Sequence, residues 1–309
     1  MANSTLHARD LSRNFGNNIA VNDVSFSLQK GEVLGFLGPN GAGKSTTMRM
    51  LTGNLAPSNG SVKICGHDMV DNPKKAKEMI GYLPEMRPLY KELTVDEFLT
   101  IAARFHKVQS SKIMRSVENA KDKCGLSHMS KRLIENLSNG YQQRVGIAQA
   151  IIHNPEIVIL DEPTVGLDPI QIREIRNLIK EIGKKHSVIL STHILPEVEM
   201  VCDRVQIINE GNLVFNGSIE DLKKQRRGNK LLVGFTKAPT KKELLAIDGV
   251  SQADKIDKTM FRIHFKEKYL PAEEIVITST KKKWGLFHIA PDITSLEDIF
   301  VQLTQKEKV

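Results

Sequence analysis

A short glycine-rich segment has the residue types and spacing of a phosphate-binding loop. Gly38–Ser45 fits the pattern G-x-x-x-x-G-K-[ST]. Glycines let consecutive backbone N–H groups turn toward one point, where a helix N-terminus adds to their attraction for the β- and γ-phosphates. The amine of Lys44 supplies a positive charge for phosphate oxygens, and the Ser45 hydroxyl can ligate Mg²⁺. The pattern favours a nucleotide site over a glycine-rich turn that binds nothing.

Two acidic residues further along the chain complete the chemistry that such a loop requires. Asp161 and Glu162 directly follow the apolar run Ile157–Leu160, at the end of a predicted strand where α/β proteins build their sites. We predict that Asp161 holds the metal and that Glu162 polarises the attacking water. An apolar run followed by two acids is common by itself, so the upstream loop is what favours the catalytic interpretation.

Strands and helices that could position these residues are visible in the hydrophobic pattern. Apolar runs separated by helical segments are typical of buried strands in a mostly parallel sheet. The predicted elements are a strand Val33–Leu37, a helix Ser45–Thr52, buried strands Ile157–Leu160 and Ser187–Leu190, and a strand pair Arg204–Ile208 and Asn212–Phe215 joined by Glu210-Gly211.

The stretch between residues 87 and 136 is mainly helical and predicts a separate lobe. Thr94 and Glu97 have the spacing of a capping box that opens a helix through Phe105. Ser218–Asp221 repeats the cap pattern and starts the last helix of the first domain. The charged segment Lys223–Lys230 then forms a joint.

Beyond this joint the pattern predicts a small α+β domain. Its elements follow the order βαββαβ, which is that of ferredoxin-like domains. They are a strand Leu231–Phe235, a helix Lys241–Ala246, strands Ala253–Ile256 and Met260–Phe265, a helix Ala272–Ser279, a strand Gly285–Ile289 and a final amphipathic helix Ser295–Leu303.

Three further motifs make the chain resemble the nucleotide-binding domain of ABC ATPases. Leu137–Arg144 (LSNGYQQR) resembles the family signature, Gly166–Asp168 the D-loop, and His193 stands at the switch-histidine position. The resemblance implies a P-loop NTPase fold of α/β class, with a mixed sheet core and a helical lobe. We expect an ATPase domain over residues 1–222, with the lobe at about 87–136 and a signature helix at 138–152. Residues 223–309 then form the accessory domain.

The resemblance also implies the site's composition. Two domains of this family enclose two ATP molecules head to tail, so that each phosphate-binding loop faces the other subunit's signature, where Ser138 caps the helix. A homodimer is therefore expected, with Glu162, His193 and Lys44 as catalytic residues and Ser45, Glu85 and Asp161 at the Mg²⁺. The implied ATP-binding residues are Phe15, Val21, Gly38, Asn40, Gly41, Ala42, Gly43, Lys44, Ser45, Thr46, Glu85, Ser138, Asn139, Gly140 and Asp168.

Some of these positions depart from the family pattern or have a second interpretation. Glu85 stands where most relatives carry glutamine, Asn139 replaces a signature glycine, and Tyr141 replaces a glutamine. Glu85 adds negative charge beside the phosphates. The two signature changes are expected to affect the affinity of the closed dimer. Phe15 stands where the family stacks a ring on adenine, with a core phenylalanine as the alternative.

The residue sequences of the signature and of the segment around Glu162 are similar to those in ATPases of ABC-2-type exporters. Such exporters serve drugs, sodium or gliding motility. No run of 18 apolar residues could cross a bilayer, so the expected partner is a separate permease that receives its coupling helices on the helical lobe. Two alternatives are a regulatory module without turnover, which Glu162 and His193 argue against, and a protein that acts on nucleic acid or the ribosome. Relatives of the second kind carry paired domains, coiled-coil insertions or zinc-binding cysteines, and this sequence has none of these, so nucleic acid is not expected.

The distribution of charge and the number of cysteines indicate the cellular compartment and the partner surfaces of the protein. Residues 223–309 carry 18 Lys and Arg against 11 Asp and Glu, a balance of +7 in a chain of net charge +8. Either an anionic membrane face or acidic partner, or a merely well-solvated surface, accounts for this excess. Lys281–Lys283 beside Trp284 is the candidate patch, with a turn before a core tryptophan as the alternative. The three scattered cysteines indicate reduced thiols, and Met1–Asp10 lacks the apolar core of a signal peptide. We expect a cytoplasmic protein, peripheral on the inner face of the cell membrane.

Overall fold

The computed structural model describes residues 4–224, 229–266, 269, 271–292, 300, 301 and 303. Its chain divides into two units, one up to Ile219 and one from Glu220 onward, and each is described by itself. The helix predicted at Ser295–Leu303 falls mostly outside the described residues, as does the middle of the joint Lys223–Lys230. None of the described helices is long and apolar enough to cross a bilayer.

Eight helices and ten strands, counted over the described residues, make up the first unit and its boundary helix. In chain order they are β1 (Ser4–Phe15), β2 (Asn18–Gln29), β3 (Val33–Leu37), α1 (Lys44–Leu51), β4 (Asn59–Ile64), β5 (His67–Asp68), α2 (Pro73–Glu78), β6 (Ile80–Leu83), α3 (Val95–Phe105), α4 (Ile113–Cys124), α5 (Asn139–Ile151), β7 (Ile157–Asp161), α6 (Pro169–Gly183), β8 (Ser187–Thr192), α7 (Leu195–Val201), β9 (Arg204–Asn209), β10 (Asn212–Ser218) and α8 (Ile219–Lys224).

The apolar runs of the sequence form neighbouring strands of one sheet. Its order is β10-β9-β3-β8-β7-β6, and all neighbouring pairs are parallel except the β9–β10 hairpin. Every residue of β3, β7 and β8 is buried, which explains their continuous apolar character. Because parallel strands end at the same edge, the segments after β3, β7, β8 and β6 meet there.

A second, antiparallel sheet packs on the first unit's core and was not predicted. Its order is β2-β1-β4-β5, and the long strands β1 and β2 change register several times along their pairing. Such shifts interrupt the alternation of buried and exposed residues that identifies a strand in sequence. Phe26 of this sheet lies 5.8 Å from fully buried Phe36 of the parallel sheet, ring centre to ring centre, in the shared core.

The helical stretch begins where its cap pattern predicted. The Thr94 hydroxyl accepts from the Glu97 N–H, and the Glu97 carboxylate accepts from the Thr94 N–H, so the capping box that opens α3 is confirmed. Backbone hydrogen bonding lowers the pKa of Glu97. Ser138 caps α5 by accepting from the Tyr141 N–H, which confirms the predicted start of that helix.

The second unit has the predicted βαββαβ order. Its elements are β11 (Lys230–Phe235), α9 (Lys241–Leu245), β12 (Val250–Lys255), β13 (Met260–Phe265), α10 (Ala272–Lys281) and β14 (Leu286–Pro291). The sheet order is β12-β13-β11-β14 with all neighbours antiparallel, which is the ferredoxin-like arrangement.

Trp284 belongs to the core of this second unit. It is buried and packs edge-to-face on Phe235, with ring centres 5.6 Å apart. The Lys282 amine lies 5.3 Å from the Trp284 ring centre and 3.5 Å from the Glu243 carboxylate. The tryptophan is therefore a core residue, as the alternative interpretation had it, and exposed lysines precede it.

Candidate functional site

The phosphate-binding loop connects β3 to α1 and requires its glycines. Gly41 and Gly43 have φ values of 82° and 105°, in the left-handed region that side chains disfavour. A β-carbon on Gly38 would meet the carbonyl oxygen of Ile208 at 2.4 Å. The loop therefore presents its backbone closely and leads directly into the N-terminus of α1, as an anion site requires.

The amine of Lys44 lies inside this loop. It donates to the carbonyl oxygens of Gly38 at 2.9 Å and Pro39 at 3.2 Å, and lies 3.3 Å from the Glu162 carboxylate. Both side chains of the ion pair are buried, with 6% and 5% of their surface exposed. Glu162 thus places its charge against the loop that is predicted to hold phosphate.

His193, which directly follows β8, contacts the same carboxylate group of Glu162. Its Nδ1 lies 2.9 Å from the second carboxylate oxygen of Glu162, and the Glu162 N–H donates to the Ser191 carbonyl at 2.9 Å. Glu162 has a φ of 49°, an uncommon value for a residue with a side chain. This strained backbone turn directs the acid out of β7 toward Lys44 and His193.

Asp161 lies buried beside the loop and has the features of a cation ligand. Burial raises its pKa, and the neighbouring Ser191 and Ser45 hydroxyls partly offset that rise. Its Oδ1 is buried and has no hydrogen-bond partner among the described residues. A buried carboxylate oxygen without a donor, next to a serine hydroxyl, fits the hard oxygen ligands that Mg²⁺ prefers.

Lys44, Glu162 and His193 line one cleft of about 380 Å³, and buried Asp161 is not among its lining residues. Most predicted phosphate and catalytic residues line it, and Ala20 and Val165 line it as well, although the sequence analysis missed both. Neither has polar chemistry that a motif could reveal. The predicted residues along the cleft are Asn40, Gly41, Gly43, Lys44, Ser45, Thr46, Glu85, Glu162 and His193.

Gly38 and Ala42 belong to the loop without lining the cleft. The Gly38 carbonyl accepts from Lys44, whereas Ala42 is buried and its carbonyl accepts from the Gly211 N–H at 3.0 Å. These two positions shape the loop, and the amine and hydroxyl groups beside them carry the chemistry.

Phe15 and Val21 also lie outside the cleft's lining. Phe15 ends β1 and is 44% exposed, with the Arg13 guanidinium 4.7 Å from its ring centre, so the core alternative for this residue is wrong. Val21 is fully buried and packs beneath Gly43, where an added β-carbon would approach its side chain to 3.3 Å. Val21 therefore supports the loop from inside the core.

The signature residues form a different site from the phosphate cleft. Ser138, Gly140 and Tyr141 line a cavity of about 100 Å³ together with residues of α6. The carbonyl of Asn139 accepts from Arg87 at 3.0 Å, and the Tyr141 hydroxyl lies 3.1 Å from the His128 ring. The Tyr141 contact involves the side chain that departs from the family pattern, whereas the Asn139 contact is made by the backbone.

Asp168 caps α6. Its carboxylate accepts from the N–H groups of Ile170 and Gln171 at 3.0 and 2.9 Å. The structure therefore gives this residue a definite role at a helix start, apart from the cleft that contains Lys44 and Glu162.

Fold and site together define a P-loop NTPase, and comparisons with known proteins name its family. The family model described as ABC transporter matches residues 21–165. The model described as ATP-binding protein DrrA1-3-like, C-terminal domain, matches residues 217–304. Both units therefore have counterparts in proteins of one class.

Individual relatives are also ATP-binding proteins of transport or resistance systems. The linearmycin resistance ATP-binding protein LnrL of Bacillus subtilis (strain 168) is 32% identical over 306 residues, covering 97% of this chain and 98% of that protein. The bacitracin transport ATP-binding protein BcrA of Bacillus licheniformis is 39% identical over 220 residues, 71% of each chain. A solved ATP-binding subunit of an ABC transporter, 32% identical, aligns with a TM-score of 0.65 over 72% of this chain and 92% of that one.

This chain belongs to the ATP-binding proteins of ABC transporters. Proteins with this domain bind and hydrolyse ATP to drive transport, and they operate with transmembrane permease subunits.

Proposed function

We propose that this chain is the motor subunit of an ABC exporter and hydrolyses Mg-ATP as a homodimer on the cytoplasmic face of the cell membrane. One observation carries the proposal. Lys44, Glu162 and His193 form a connected set of side chains over the phosphate-binding loop, at the carboxyl edge of the parallel sheet. Connected charges at this edge are the arrangement that phosphoryl transfer uses.

In this proposal Lys44 binds the β- and γ-phosphates, and Glu162 takes the proton from the attacking water. His193 contacts Glu162 through Nδ1, which leaves Nε2 to face the γ-phosphate. Ser45, Asp161 and Glu85 are the residues that would hold Mg²⁺, which neutralises phosphate charge when bound. The buried Oδ1 of Asp161, which has no hydrogen-bond partner in the described part of the chain, supports this set.

Dimerisation is proposed because the chain separates two anion-binding poles. One is the N-terminus of α1 in the cleft, and the other is the Ser138-capped N-terminus of α5, whose residues line a different cavity. Two copies placed head to tail would bring unlike poles onto the same nucleotide. Hydrolysis of ATP to ADP and phosphate would release the γ-phosphate that joins the two poles, and the pair would reopen.

The permease is proposed to contact the side of the first unit that holds the helical stretch. A cavity of about 450 Å³, larger than the phosphate cleft, has Arg49, Tyr82, Pro88 and His106 along its wall and none of the loop's residues. Exposed apolar side chains stand on the same stretch of chain, among them Met86 at 87% exposure. Exposed apolar groups of this kind favour a protein contact.

Export and a cytoplasmic location are proposed from the names of relatives and from the state of the cysteines. Relatives carry names of bacitracin transport and linearmycin resistance, which supports export without naming a cargo for this chain. The three cysteines are free, as in a reducing compartment. The basic second unit is proposed to face anionic lipid or an acidic partner beside the permease.

Glu162→Gln tests the proposal. The variant should retain ATP binding but hydrolyse it at least about a hundredfold more slowly, since the general base is lost and the loop is intact. With ATP and Mg²⁺ it should also accumulate as a dimer, measured by analytical ultracentrifugation, because the closed pair cannot hydrolyse its way open.

Glu156→Gln is the matched control, since this exposed acid lies one residue before β7 and should leave turnover and assembly unchanged. Parental turnover in the Glu162 variant would show that the general base is wrongly assigned. A slow variant that stays monomeric with ATP would contradict the dimer.

A further inference from the structure

Glu197 is a buried acid that the proposed catalytic set does not include. It lies on α7 with 1% of its surface exposed. One carboxylate oxygen accepts from the Thr164 hydroxyl, and the other accepts from the Thr192 hydroxyl at 2.9 Å. A carboxylate this deeply buried requires partners for its charge, and these two hydroxyls supply part of them.

Arg176 completes the environment of this acid. Its Nη2 lies 3.7 Å from Glu197, and the arginine side chain is itself only 17% exposed. Arg176 is on α6, Thr164 is in the loop between β7 and α6, and Thr192 ends β8. A single side chain thus contacts α6, the loop after β7 and the end of β8.

Both threonines flank residues of the proposed catalytic set. Thr192 directly precedes His193, and its hydroxyl also accepts from the Ile194 N–H at 3.1 Å, so the backbone on both sides of His193 is tied to Glu197 through one hydroxyl. Thr164 follows Glu162 by two residues. The Glu162–His193 contact of 2.9 Å joins the loop after β7 to the loop after β8. Glu197 joins the same two loops a second time, through Thr164 and Thr192.

We propose that Glu197 is a positioning residue which fixes the His193 loop against the Glu162 loop and thereby sets the rate of ATP hydrolysis. Glu197 is not among the residues that line the cleft, and its described hydrogen bonds go to Thr164 and Thr192, through which it acts. The inference rests on the proposed roles of Glu162 and His193. Since a small displacement of reacting groups reduces rates strongly, the loss should appear in kcat and not in ATP binding.

The first test is Glu197→Gln, which keeps the side chain's shape and removes its charge. The expected result is a kcat lowered by about tenfold to a hundredfold, while the Kd for ATP changes less than about threefold. Glu181→Gln is the control, because Glu181 is 65% exposed and pairs only with Lys184 among the contacts described. Parental kcat in Glu197→Gln would overturn the inference.

A second pair of variants separates positioning from folding. Thr192→Val keeps the branched shape and loses the hydroxyl, whereas Thr192→Ser keeps the hydroxyl and loses the methyl group. Positioning through the hydroxyl predicts a low kcat for Val and near-parental kcat for Ser, with the Thr192→Val and Glu197→Gln effects less than additive when combined. Equal losses in Val and Ser would overturn the inference, as would kcat, ATP affinity and melting temperature falling together.

The failure of the proposed function can be told apart from the failure of this inference. If Glu162→Gln hydrolyses ATP at the parental rate, the catalytic assignment is wrong. If Glu162→Gln is inactive and Glu197→Gln is fully active, only the positioning role is wrong.

Discussion

Lys44 contacts three oxygen atoms, two backbone carbonyls of the loop and the Glu162 carboxylate. The amine is buried, so its charge acts with little screening by solvent. A phosphate that enters the loop meets this charge together with the backbone N–H groups. The same ion pair fixes Glu162, so the proposed binding and catalytic roles depend on one shared contact.

Lys44→Met should therefore weaken ATP binding. We expect a Kd higher by about tenfold to a hundredfold, the value of losing one charge-assisted contact. Binding can be measured by equilibrium dialysis with ATP. Lys63→Met, at an exposed position of β4, is the control. Parental affinity and turnover in the Lys44 variant would refute the role of the loop.

Phe15 provides a second prediction at this scale. Its ring is 44% exposed and has a guanidinium at one side, so it is free to contact an adenine on the other. Phe15→Ala should raise the KM for ATP by about tenfold or less with kcat unchanged, since one stacking contact is worth about 1 kcal/mol. Phe15→Trp should retain the parental KM. Exposed Phe287 of the second unit is the control position, and an unchanged KM in Phe15→Ala would exclude stacking.

Motif spacing predicted the types of residue at this site but not their partners. The pattern Gly38–Ser45 and the acids after β7 carry their chemistry in the sequence, and the cleft contains most of them. The Lys44–Glu162 pair and the Thr164–Glu197 hydrogen bond join residues that are distant along the chain. Such contacts depend on strand order, which one sequence does not display.

At the scale of elements, local signals predicted the starts of helices well. Thr94 with Glu97, and Ser138, satisfy N–H groups within one turn, so the sequence contains the whole interaction. The antiparallel sheet of β1, β2, β4 and β5 was missed for the opposite reason. Its register shifts and positive-φ residues such as Asp10 and Asp23 break the alternation that a sequence pattern requires.

Two histidines at the junction of α3, α5 and β6 predict an acid sensitivity. The rings of His106 and His153 stack with centres 3.9 Å apart, and the His153 Nε2 lies 3.1 Å from the Ile80 carbonyl. Burial lowers the pKa of His153 to about 4, and His106 contributes to this shift. Burial also lowers the pKa of His106.

The direction of the pH dependence of stability follows from proton binding to the folded and the unfolded chain. The unfolded chain gains a proton at His153 near its ordinary pKa of about 6.5, and the folded chain gains it only near pH 4. Stability is therefore complete above about pH 6.5 and decreases as the pH falls toward 4, by up to about 3 kcal/mol for His153.

His153→Gln should reduce this pH dependence, because the substituted side chain does not titrate. The free energy of unfolding, measured with urea at pH 7, 5.5 and 4.5, should change less with pH in the variant than in the parent. His7→Gln, at an exposed position of β1, should retain the parental dependence. Equal slopes in parent and His153 variant would contradict the buried neutral histidine.

At the scale of the whole molecule, charge and chemistry are distributed unequally. All residues of the proposed site lie before Ser218, whereas residues 223–309 hold most of the excess positive charge, +7 of +8. The second unit has its own apolar core around Phe235, Phe261 and Trp284. Outside that core, α10 exposes Val276 and Ile277, and Lys281–Lys283 follow them. Apolar groups beside lysines suit an anionic lipid surface or an acidic partner.

A chain that ends at Lys224 should separate ATP binding from assembly. It retains β1 to β10 and every proposed site residue, so it should fold and bind ATP with a Kd within about threefold of the parent. We expect it to lose assembly instead, as weaker ATP-dependent dimerisation in the Glu162→Gln background or weaker sedimentation with anionic vesicles.

Salt should weaken the binding of the full chain to vesicles, because exposed charges are screened. The full chain with Lys281, Lys282 and Lys283 all changed to Gln keeps the second unit and isolates the charge. If the folded truncation cannot bind ATP, the two-unit division of function is wrong, and if dimerisation and vesicle binding are unchanged, the second unit has no part in assembly.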